Sequence, residues 1–155
     1  MILIADDDQN DALILVETLK AAGVKNELRW AVDGEDVIAY FNGEKEFADR
    51  AKHPLPTILL LDLKMPQVGG FEVLEWLRHA KPTNDVLIII LSGHGALGDI
   101  KKGYDLGARS FLVKPCRLDD IQDLVRAYSP YWQLDGPTKS ANGNGSQGSN
   151  SYYMP

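Results

Sequence analysis

The sequence predicts a doubly wound α/β fold, in which a five-stranded parallel sheet carries helices on both faces. Two stretches, Thr57–Leu61 and Asp85–Leu91, contain continuous apolar runs rather than alternating ones, which is typical of strands buried on both faces. Segments with the apolar spacing of amphipathic helices separate the predicted strands. Strands and helices that alternate in this way, joined by right-handed crossovers, give this fold class.

The individual elements follow in chain order from these patterns. The patterns predict strands over residues 1–5, 25–32, 57–61, 85–91 and 110–113. They predict helices over residues 9–22, 35–41, 70–79, 96–106 and 118–132. Asp8 is placed to cap the first helix and Gly23 to end it. The charged connection 42–56 is longer than the usual loop of about 2–6 residues, and it is predicted to be an extended helix end plus a surface loop.

Three aromatic residues stand at the end of the last predicted helix: Tyr128, Tyr131 and Trp132. They either fold back onto the body of the domain or form a patch for a partner or a second copy of the chain, since aromatic residues are enriched at interfaces. The sequence leaves both interpretations open.

The amino-acid composition and the net charge are those of an acidic globular protein. The 155 residues are 45% hydrophobic and 25% charged, which is ordinary for a chain long enough to bury a core. The net charge of −6 argues against a general nucleic-acid-binding surface, and no apolar run approaches the roughly 20 residues that span a bilayer. A single cysteine, Cys116, excludes an internal disulfide and a Cys-rich zinc site. We expect no nucleic-acid partner, no membrane association and, without a leader sequence, a cytoplasmic location.

The folded domain is predicted to cover residues 1–133. Residues 134–155 are rich in Gly, Ser, Asn and Pro and offer almost nothing to bury, so they are predicted to be a disordered tail. No second folded domain and no internal repeat is expected.

Acidic residues follow two of the predicted strands at the point where each strand ends. Asp6 and Asp7 come directly after the first strand, and Asp62 follows the apolar run of the central strand. In an open α/β sheet, ligands bind outside the carboxyl ends of the strands. Two like charges about 4 Å apart repel by roughly 4 kcal/mol at an effective dielectric near 20, so carboxylates that converge at this edge indicate a bound cation.

Two further strand ends supply a hydroxyl and an ammonium group, from Ser92 and Lys114. Carboxylates suit Mg²⁺, which takes one or two of them together with waters and a phosphate oxygen. A free carboxylate is a nucleophile toward phosphorus, while a hydroxyl and a lysine can hold phosphoryl oxygens. The charges of the acids Asp6, Asp7 and Asp62 are balanced by those of Mg²⁺ and Lys114. The set therefore predicts phosphoryl transfer, with Asp62 as the nucleophile.

These residues resemble those of the receiver domain of two-component response regulators, and the resemblance covers about Met1 to Trp132. The matching stretches, in chain order, are Ile4–Asp8, Leu61–Pro66, Leu91–Gly93, Asp105–Ala108 and Phe111–Pro115. Each stretch alone is a weak signal, but the ordered set is specific. The long connection 42–56 and the tail also resemble the phytochrome-partner subgroup of single-domain regulators.

The resemblance implies the flavodoxin-like strand order 2-1-3-4-5. It implies that Asp62 accepts a phosphoryl group from the phosphohistidine of a sensor histidine kinase or a phosphotransfer protein. It also implies that Mg²⁺ is held by Asp7, Asp62 and the backbone carbonyl of Lys64, with Asp6 acting through water.

The family further implies a cis peptide between Lys114 and Pro115. Ser92 and Phe111 match its switch pair, in which the hydroxyl is drawn toward the phosphate and the aromatic side chain follows. Since Phe111 has no phenolic OH, switching is expected to act by packing. The output is expected to be the binding of a downstream protein target, the formation of a homodimer, or the transfer of the phosphate to another protein. A homodimer is expected to form through the last two helices and the last strand, which are the family's usual signalling surface.

The chain departs from the family pattern at a few positions near the predicted site. Gly69 stands where the family often has Asp, which is expected to matter little for the chemistry. Lys64 adds a flexible cation beside the site, and Gly93 leaves its mouth open. Both are expected to change the hydrolysis rate of the acyl phosphate, in a direction that the sequence does not give.

Two other functions remain as alternatives. A Mg²⁺-dependent phosphatase that works through a phospho-aspartate would need an acid two residues after the nucleophile, where this chain has Lys64. We therefore expect no enzyme activity on outside substrates, only catalysis of the chain's own phosphorylation and dephosphorylation. A receiver-like interaction module that signals without phosphate is the second alternative, against which the complete set of acids, hydroxyl and lysine argues.

Overall fold

The computed structural model describes residues 1–80, 85–93 and 97–135 of the chain. Parallel strands form a five-stranded sheet in the order β2-β1-β3-β4-β5. Their bounds are Ile2–Ala5 (β1), Leu28–Ala31 (β2), Ile58–Asp62 (β3), Leu87–Ser92 (β4) and Ser110–Val113 (β5). The predicted fold class and strand order are therefore confirmed.

Helices alternate with the strands along the chain and cover both faces of the sheet. They are Gln9–Ala21 (α1), Gly34–Asn42 (α2), Gly70–Ala80 (α3), Leu97–Asp105 (α4) and Leu118–Ala127 (α5). As predicted, Asp8 caps α1, because its Oδ1 accepts hydrogen bonds from the amides of Asn10 and Asp11. In the part of the chain that the structure describes, no helix is long and apolar enough to cross a bilayer.

Alternate residues of the buried strands face two separate hydrophobic layers. Ile4, Leu60 and Ile89 lie in the layer that α1 and α5 cover. Leu3, Leu59 and Ile90 lie in the opposite layer, which α2 and α3 cover. This two-sided burial explains why β3 and β4 have continuous apolar sequences, and it leaves polar residues only where each strand ends.

The edge strand β2 is shorter than the strand predicted over residues 25–32, and that prediction is wrong at its start. The amide of Lys25 donates to the carbonyl oxygen of Gln133 at 2.6 Å, and the side-chain oxygen of Asn26 accepts from the amide of Gln133 at 2.7 Å. Because these residues pair with the C-terminal part of the domain, the pairing with β1 begins only at Leu28.

The last helix is also shorter than predicted. The prediction continued it to Trp132, but α5 ends at Ala127 and a 3₁₀ turn, Ser129–Tyr131, follows it. Pro130 has no amide hydrogen to continue the helical hydrogen bonds. Trp132 is buried, and Tyr128 and Tyr131 pack against the same hydrophobic layer, so the aromatic residues fold back onto the domain.

The described contacts of the domain continue to residue 135, two residues past the predicted boundary at residue 133. Leu134 pairs with Val24 in an antiparallel bridge, and the amide of Asp135 donates to the carbonyl oxygen of Gly23 at 3.0 Å. The rest of the predicted tail, residues 136–155, lies outside the described residues, as does the predicted start of α4 at Ala96.

The connection between α2 and β3 does not extend the helix as predicted. Gly43 ends α2 with φ +67°, a left-handed conformation that favours glycine. The guanidinium group of Arg50 then donates to the carbonyl oxygens of Tyr40 and Phe41 at the helix end. A 3₁₀ turn, Lys45–Ala48, and a packed loop complete the connection.

Candidate functional site

The carboxyl ends of β1, β3, β4 and β5 bring the predicted site residues to one edge of the sheet. Register pairs Ala5 of β1 with Leu61 of β3, and so the acids that follow these residues are neighbours. Asp62 lies opposite Leu91, and Ser92 lies opposite Val113, the residue before Lys114. The Lys114–Pro115 peptide bond is cis, as the sequence resemblance implied.

Asp6 is an almost completely buried acid, with 1% of its surface exposed. One carboxylate oxygen accepts a hydrogen bond from the amide of Asp8 at 2.9 Å, and the other accepts from Nζ of Lys114 at 3.0 Å. Burial raises the pKa of Asp6 to about 6, against the opposing effect of these two hydrogen bonds. Trp30 also ties this turn to β2, because its indole N–H donates to the carbonyl oxygen of Asp6 at 2.7 Å.

Asp62 occupies the same kind of environment at the end of β3. The residue is 4% exposed; its Oδ1 accepts from the amide of Lys64 at 3.0 Å, and its Oδ2 accepts from Nζ of Lys114 at 3.0 Å. Both oxygens keep lone pairs for a further ligand. The side chain is therefore anchored in orientation while its oxygens remain usable.

Lys114 links the buried acids through its ammonium group. Besides Asp6 and Asp62, Nζ lies 3.2 Å from Oδ2 of Asp11, in the first turn of α1. Burial of Lys114 opposes its charge, but the hydrogen bonds to Asp62 and Asp6 outweigh burial, and the pKa of the ammonium group is raised above its ordinary value. The lysine is thus held charged between three carboxylates.

Three acids form a cluster that could hold a metal ion: Asp6, Asp7 and Asp62 each offer one oxygen, and these oxygens lie within 4.8 Å of one another. Opposite ligands of an octahedral Mg²⁺ lie about 4.2 Å apart, given bond lengths of about 2.1 Å. The spacing and the all-oxygen chemistry of the cluster therefore fit a hard divalent cation. Asp7 is exposed whereas its two partners are buried, so the cluster opens toward solvent on one side.

The predicted switch residues lie on two paired strands, Ser92 at the end of β4 and Phe111 on β5. Ser92 is buried, and its hydroxyl donates to the carbonyl oxygen of Gly93 at 2.8 Å. Phe111 on the edge strand β5 is 37% exposed, and its ring centroid lies 6.4 Å from that of Tyr104 on α4. The phenyl ring of Phe111 has no hydroxyl group, and coupling of the two residues by packing stays a prediction.

Three residues that support the site from neighbouring elements were not predicted from the sequence: Asp11, Trp30 and Tyr104. A signal for Asp11 was present, because Asp11 lies three residues after the predicted cap Asp8, in the first turn of the helix that follows the strand-end acids. Trp30 and Tyr104 carry no such signal, since an aromatic residue on a strand or helix is usually a packing residue. Lys64 contributes its amide to Asp62, and its side chain is exposed, as expected.

The fold, the strand-end acids and the lysine define a class of protein: the chain belongs to the response regulator receiver domain family, whose model matches residues 2–126.

Solved structures similar to this chain include regulators of light signalling. Response regulator RPA3017, from red light signalling in R. palustris, is 34% identical, and the match covers 88% of this chain and 98% of that one with a TM-score of 0.74. The phosphorylated cyanobacterial phytochrome response regulator RcpA is 27% identical over 84% of this chain and 91% of its own, with a TM-score of 0.69.

Response regulator Rcp1 of Synechocystis is similar both in sequence and in structure. It is 26% identical over 132 residues, which cover 85% of this chain and 88% of Rcp1. The Mn²⁺-bound crystal structure of Rcp1 matches 90% of this chain and 98% of its own with a TM-score of 0.68. The resemblance of this chain to the phytochrome-partner regulators is thereby confirmed.

Proposed function

We propose that this protein is a phosphoacceptor response regulator in which Asp62 accepts a phosphoryl group from a histidine kinase or a phosphotransfer protein. The observation that carries the proposal is the contact of Lys114 with both buried acids, Asp6 and Asp62, at 3.0 Å each. A carboxylate that is buried, oriented and neighboured by a cation is suited to nucleophilic attack on phosphorus. The matches to RcpA, solved as a phosphorylated protein, and to Rcp1, solved with Mn²⁺, support the same chemistry.

Asp6, Asp7 and Asp62 would hold Mg²⁺, with the backbone carbonyl of Lys64 as a further ligand. The bound ion supplies positive charge to the phosphoryl oxygens. The amides of Asp8 and Lys64 orient the two buried carboxylates and leave their remaining lone pairs available. Burial of the cluster weakens screening by solvent, so each charge acts more strongly there than at the surface.

In the transfer itself, a carboxylate oxygen of Asp62 forms a bond to phosphorus as the bond from phosphorus to the imidazole nitrogen of the donor breaks. The electron pair of the broken bond stays on the imidazole. The acyl phosphate carries more negative charge than the carboxylate it replaces. Lys114 is positioned to balance that added charge, because its ammonium group already contacts the oxygen of Asp62.

The output of the proposed regulator is a change in a protein-binding surface. The Ser92 hydroxyl would leave the carbonyl of Gly93 for a phosphoryl oxygen, and Phe111 would move into the space that the hydroxyl vacates. Phe111 packs against Tyr104, so its movement would alter the surface formed by α4 and β5. A downstream protein or a second copy of the chain would bind there. The proposal also includes a cytoplasmic location and no nucleic-acid partner.

The acceptor assignment is tested by phosphorylation with acetyl phosphate and Mg²⁺, followed by intact-mass spectrometry. Wild type is expected to gain one phosphoryl group that is lost in hydroxylamine, the behaviour of an acyl phosphate. Asp62→Asn is expected to gain none, while the exposed Asp49→Asn serves as a matched control and is expected to label as wild type does. Folded wild type that gains no phosphate would contradict the proposal, and labelling of Asp62→Asn would reject that acceptor.

Binding of beryllofluoride to the same proteins distinguishes this function from that of a phosphate-independent interaction module. Beryllofluoride, which mimics the acyl phosphate, is expected to shift the amide resonances of β5 and α4 in wild type and to leave Asp62→Ala unchanged. A downstream partner that binds wild type and Asp62→Ala equally well, with and without beryllofluoride, would favour the phosphate-independent module.

A further inference from the structure

Asp11 is an acid of α1 that touches the site through the lysine. Its position is set by the helix cap, since Asp8 accepts a hydrogen bond from the amide of Asp11 at 3.1 Å and so fixes the first turn of α1. From there Oδ2 of Asp11 reaches Nζ of Lys114 at 3.2 Å. The Asp11 side chain is 37% exposed, whereas that of Asp6 is 1% exposed and that of Asp62 is 6% exposed. Asp11 is not part of the acid cluster that could hold a metal.

The three contacts of Lys114 use the full donor capacity of its ammonium group. An ammonium group has three N–H bonds, and Asp6, Asp11 and Asp62 each accept from Nζ. A phosphoryl oxygen on Asp62 that binds Lys114 must therefore replace one of these acceptors. Asp6 and Asp62 are buried around the proposed cation site, so their oxygens are engaged there. The half-exposed Asp11 is the acceptor whose contact with Lys114 is least costly to break, because water replaces it.

We propose that Asp11 is a positioning residue that holds Lys114 in the resting site and competes with the incoming phosphoryl group for its ammonium. The inference rests on the proposed phosphoacceptor function and assigns a control element to it. The Asp11 carboxylate and the phosphoryl oxygens are both anions that seek the same donor. Removing the carboxylate frees one N–H of Lys114 for the incoming phosphoryl group.

The expected effect is an acceleration of phosphorylation in Asp11→Asn. Half-exposed ion pairs are weak, and so the initial rate with acetyl phosphate at saturating Mg²⁺ is expected to rise about two- to fivefold. Glu17→Gln is the matched control, because it removes the same charge from the same helix; the Glu17 side chain is 72% exposed and pairs with Lys20 at 3.5 Å. The control is expected to keep the wild-type rate, and Asp11→Glu, which keeps a carboxylate, is expected to stay close to it.

Asp11→Asn made in a Lys114→Met background separates competition for the lysine from a general effect of charge. With no ammonium group to compete for, Asp11→Asn is expected to change nothing there. A gain that persists in the Lys114→Met background would overturn the proposal, and so would an unchanged or reduced rate of Asp11→Asn in the wild-type background. Wild type that takes up no phosphate at all would instead contradict the proposed function, so the two failures are distinguishable.

A second measurement does not depend on phosphate transfer. The Lys114 ammonium resonance in ¹H–¹⁵N spectra, assigned by its loss in Lys114→Met, is expected to shift in Asp11→Asn and to stay in place in Glu17→Gln. Circular dichroism confirms that each variant is folded. A Lys114 resonance that does not move in Asp11→Asn would overturn the proposal even where the Lys114→Met chains are too slow to give rates.

Discussion

At the scale of single residues, the ammonium group of Lys114 makes the buried acids compatible with a folded protein. Asp6 and Asp62 lie at the ends of adjacent strands and are almost completely buried, so their charges repel each other where water cannot screen them. The lysine contacts both, and its raised pKa shows that the attraction exceeds the cost of burying it. Lys114 thus supplies one positive charge to the two buried acids.

Cys116 follows two residues after Lys114, and its chemistry should be that of an inert thiol. It is 8% exposed, and burial raises its pKa to about 11. Only the thiolate reacts with alkylating agents, so native protein is expected to be labelled by iodoacetamide at about pH 8 far more slowly than unfolded protein. Mass spectrometry after timed labelling measures this. Rapid labelling of the folded chain would show that the thiol is accessible and ionised.

The raised pKa of Cys116 makes the stability of the domain depend on pH above pH 9. The unfolded thiol loses its proton near its ordinary value of 9.0, while the folded thiol keeps it until about pH 11. The fold therefore protects the neutral form, and this contribution to the free energy of unfolding is complete below pH 9 and lost as pH rises toward 11. The difference in unfolding free energy between wild type and Cys116→Ala is expected to shrink over this range in denaturant titrations.

At the scale of elements, α3 begins almost in contact with the end of β3. The amide of Gly70 donates to the carbonyl oxygen of Leu63 at 3.1 Å. A Cβ atom at Gly70 would stand 2.5 Å from the carbonyl oxygen of Asp62 and 2.7 Å from Cα of Leu63. Only a residue without a side chain lets the helix start this close, and the close start holds the backbone that carries Asp62.

Gly70→Ala is therefore expected to destabilise the domain, and a second glycine provides the control. The clash is with backbone atoms that cannot rotate away, which costs about 1–3 kcal/mol or more. At Gly98 of α4, no atom of the described residues beyond its own helical turn lies within 4 Å of the position that an alanine Cβ would take, so Gly98→Ala is expected to be neutral or to stabilise by up to about 1 kcal/mol. Urea unfolding measures both variants. Equal stabilities of the two variants would contradict the close contact between α3 and β3.

How far the elements could be predicted depends on whether their pattern is local. β3 and β5 were predicted within a residue or so, and the acids were placed correctly, because burial on both faces and strand-end chemistry are visible in consecutive residues. The start of β2 was not predicted correctly, because residues 25–26 pair with Gln133, which is distant in the sequence. The end of α5 was not predicted correctly either, because Pro130 interrupts an apolar periodicity that continues to Trp132. Asp11 was missed because an acid in the first turn of a helix is also explained by the helix dipole alone.

At the scale of the whole molecule, residues 128–135, here called the C-terminal segment, close the end of the sheet opposite the candidate site. Its tryptophan, Trp132, is buried with the residues that α1 and α5 cover. The hydroxyl of Tyr131 donates to a carboxylate oxygen of Asp85 at 2.7 Å, and Tyr128 donates to the carbonyl oxygen of Arg109 at 3.0 Å. The sequence left this arrangement open, because aromatic residues at a helix end have the same pattern whether they cover their own domain or a partner.

Asn26 is one of the residues that fix this segment to the rest of the domain, and its loss is expected to be costly. It is 6% exposed; its amide group donates to the carbonyl oxygen of Tyr131 at 3.2 Å, and its side-chain oxygen accepts from the amide of Gln133 at 2.7 Å. Asn26→Ala leaves both backbone groups without a partner, which is expected to cost about 1–3 kcal/mol.

Asn42→Ala tests whether that cost comes from burial rather than from the loss of any asparagine. Asn42 is exposed and donates to the carboxylate of Glu44 at 2.9 Å, where water can replace it, so a change within about 0.5 kcal/mol is expected. In urea titrations, Asn26→Ala should lower the midpoint at an unchanged slope, because the native fold is retained while its stability falls. A midpoint for Asn26→Ala equal to that of Asn42→Ala would mean that the C-terminal segment contributes little to stability. It would then be free to leave the domain, and its aromatic residues would become available to a partner.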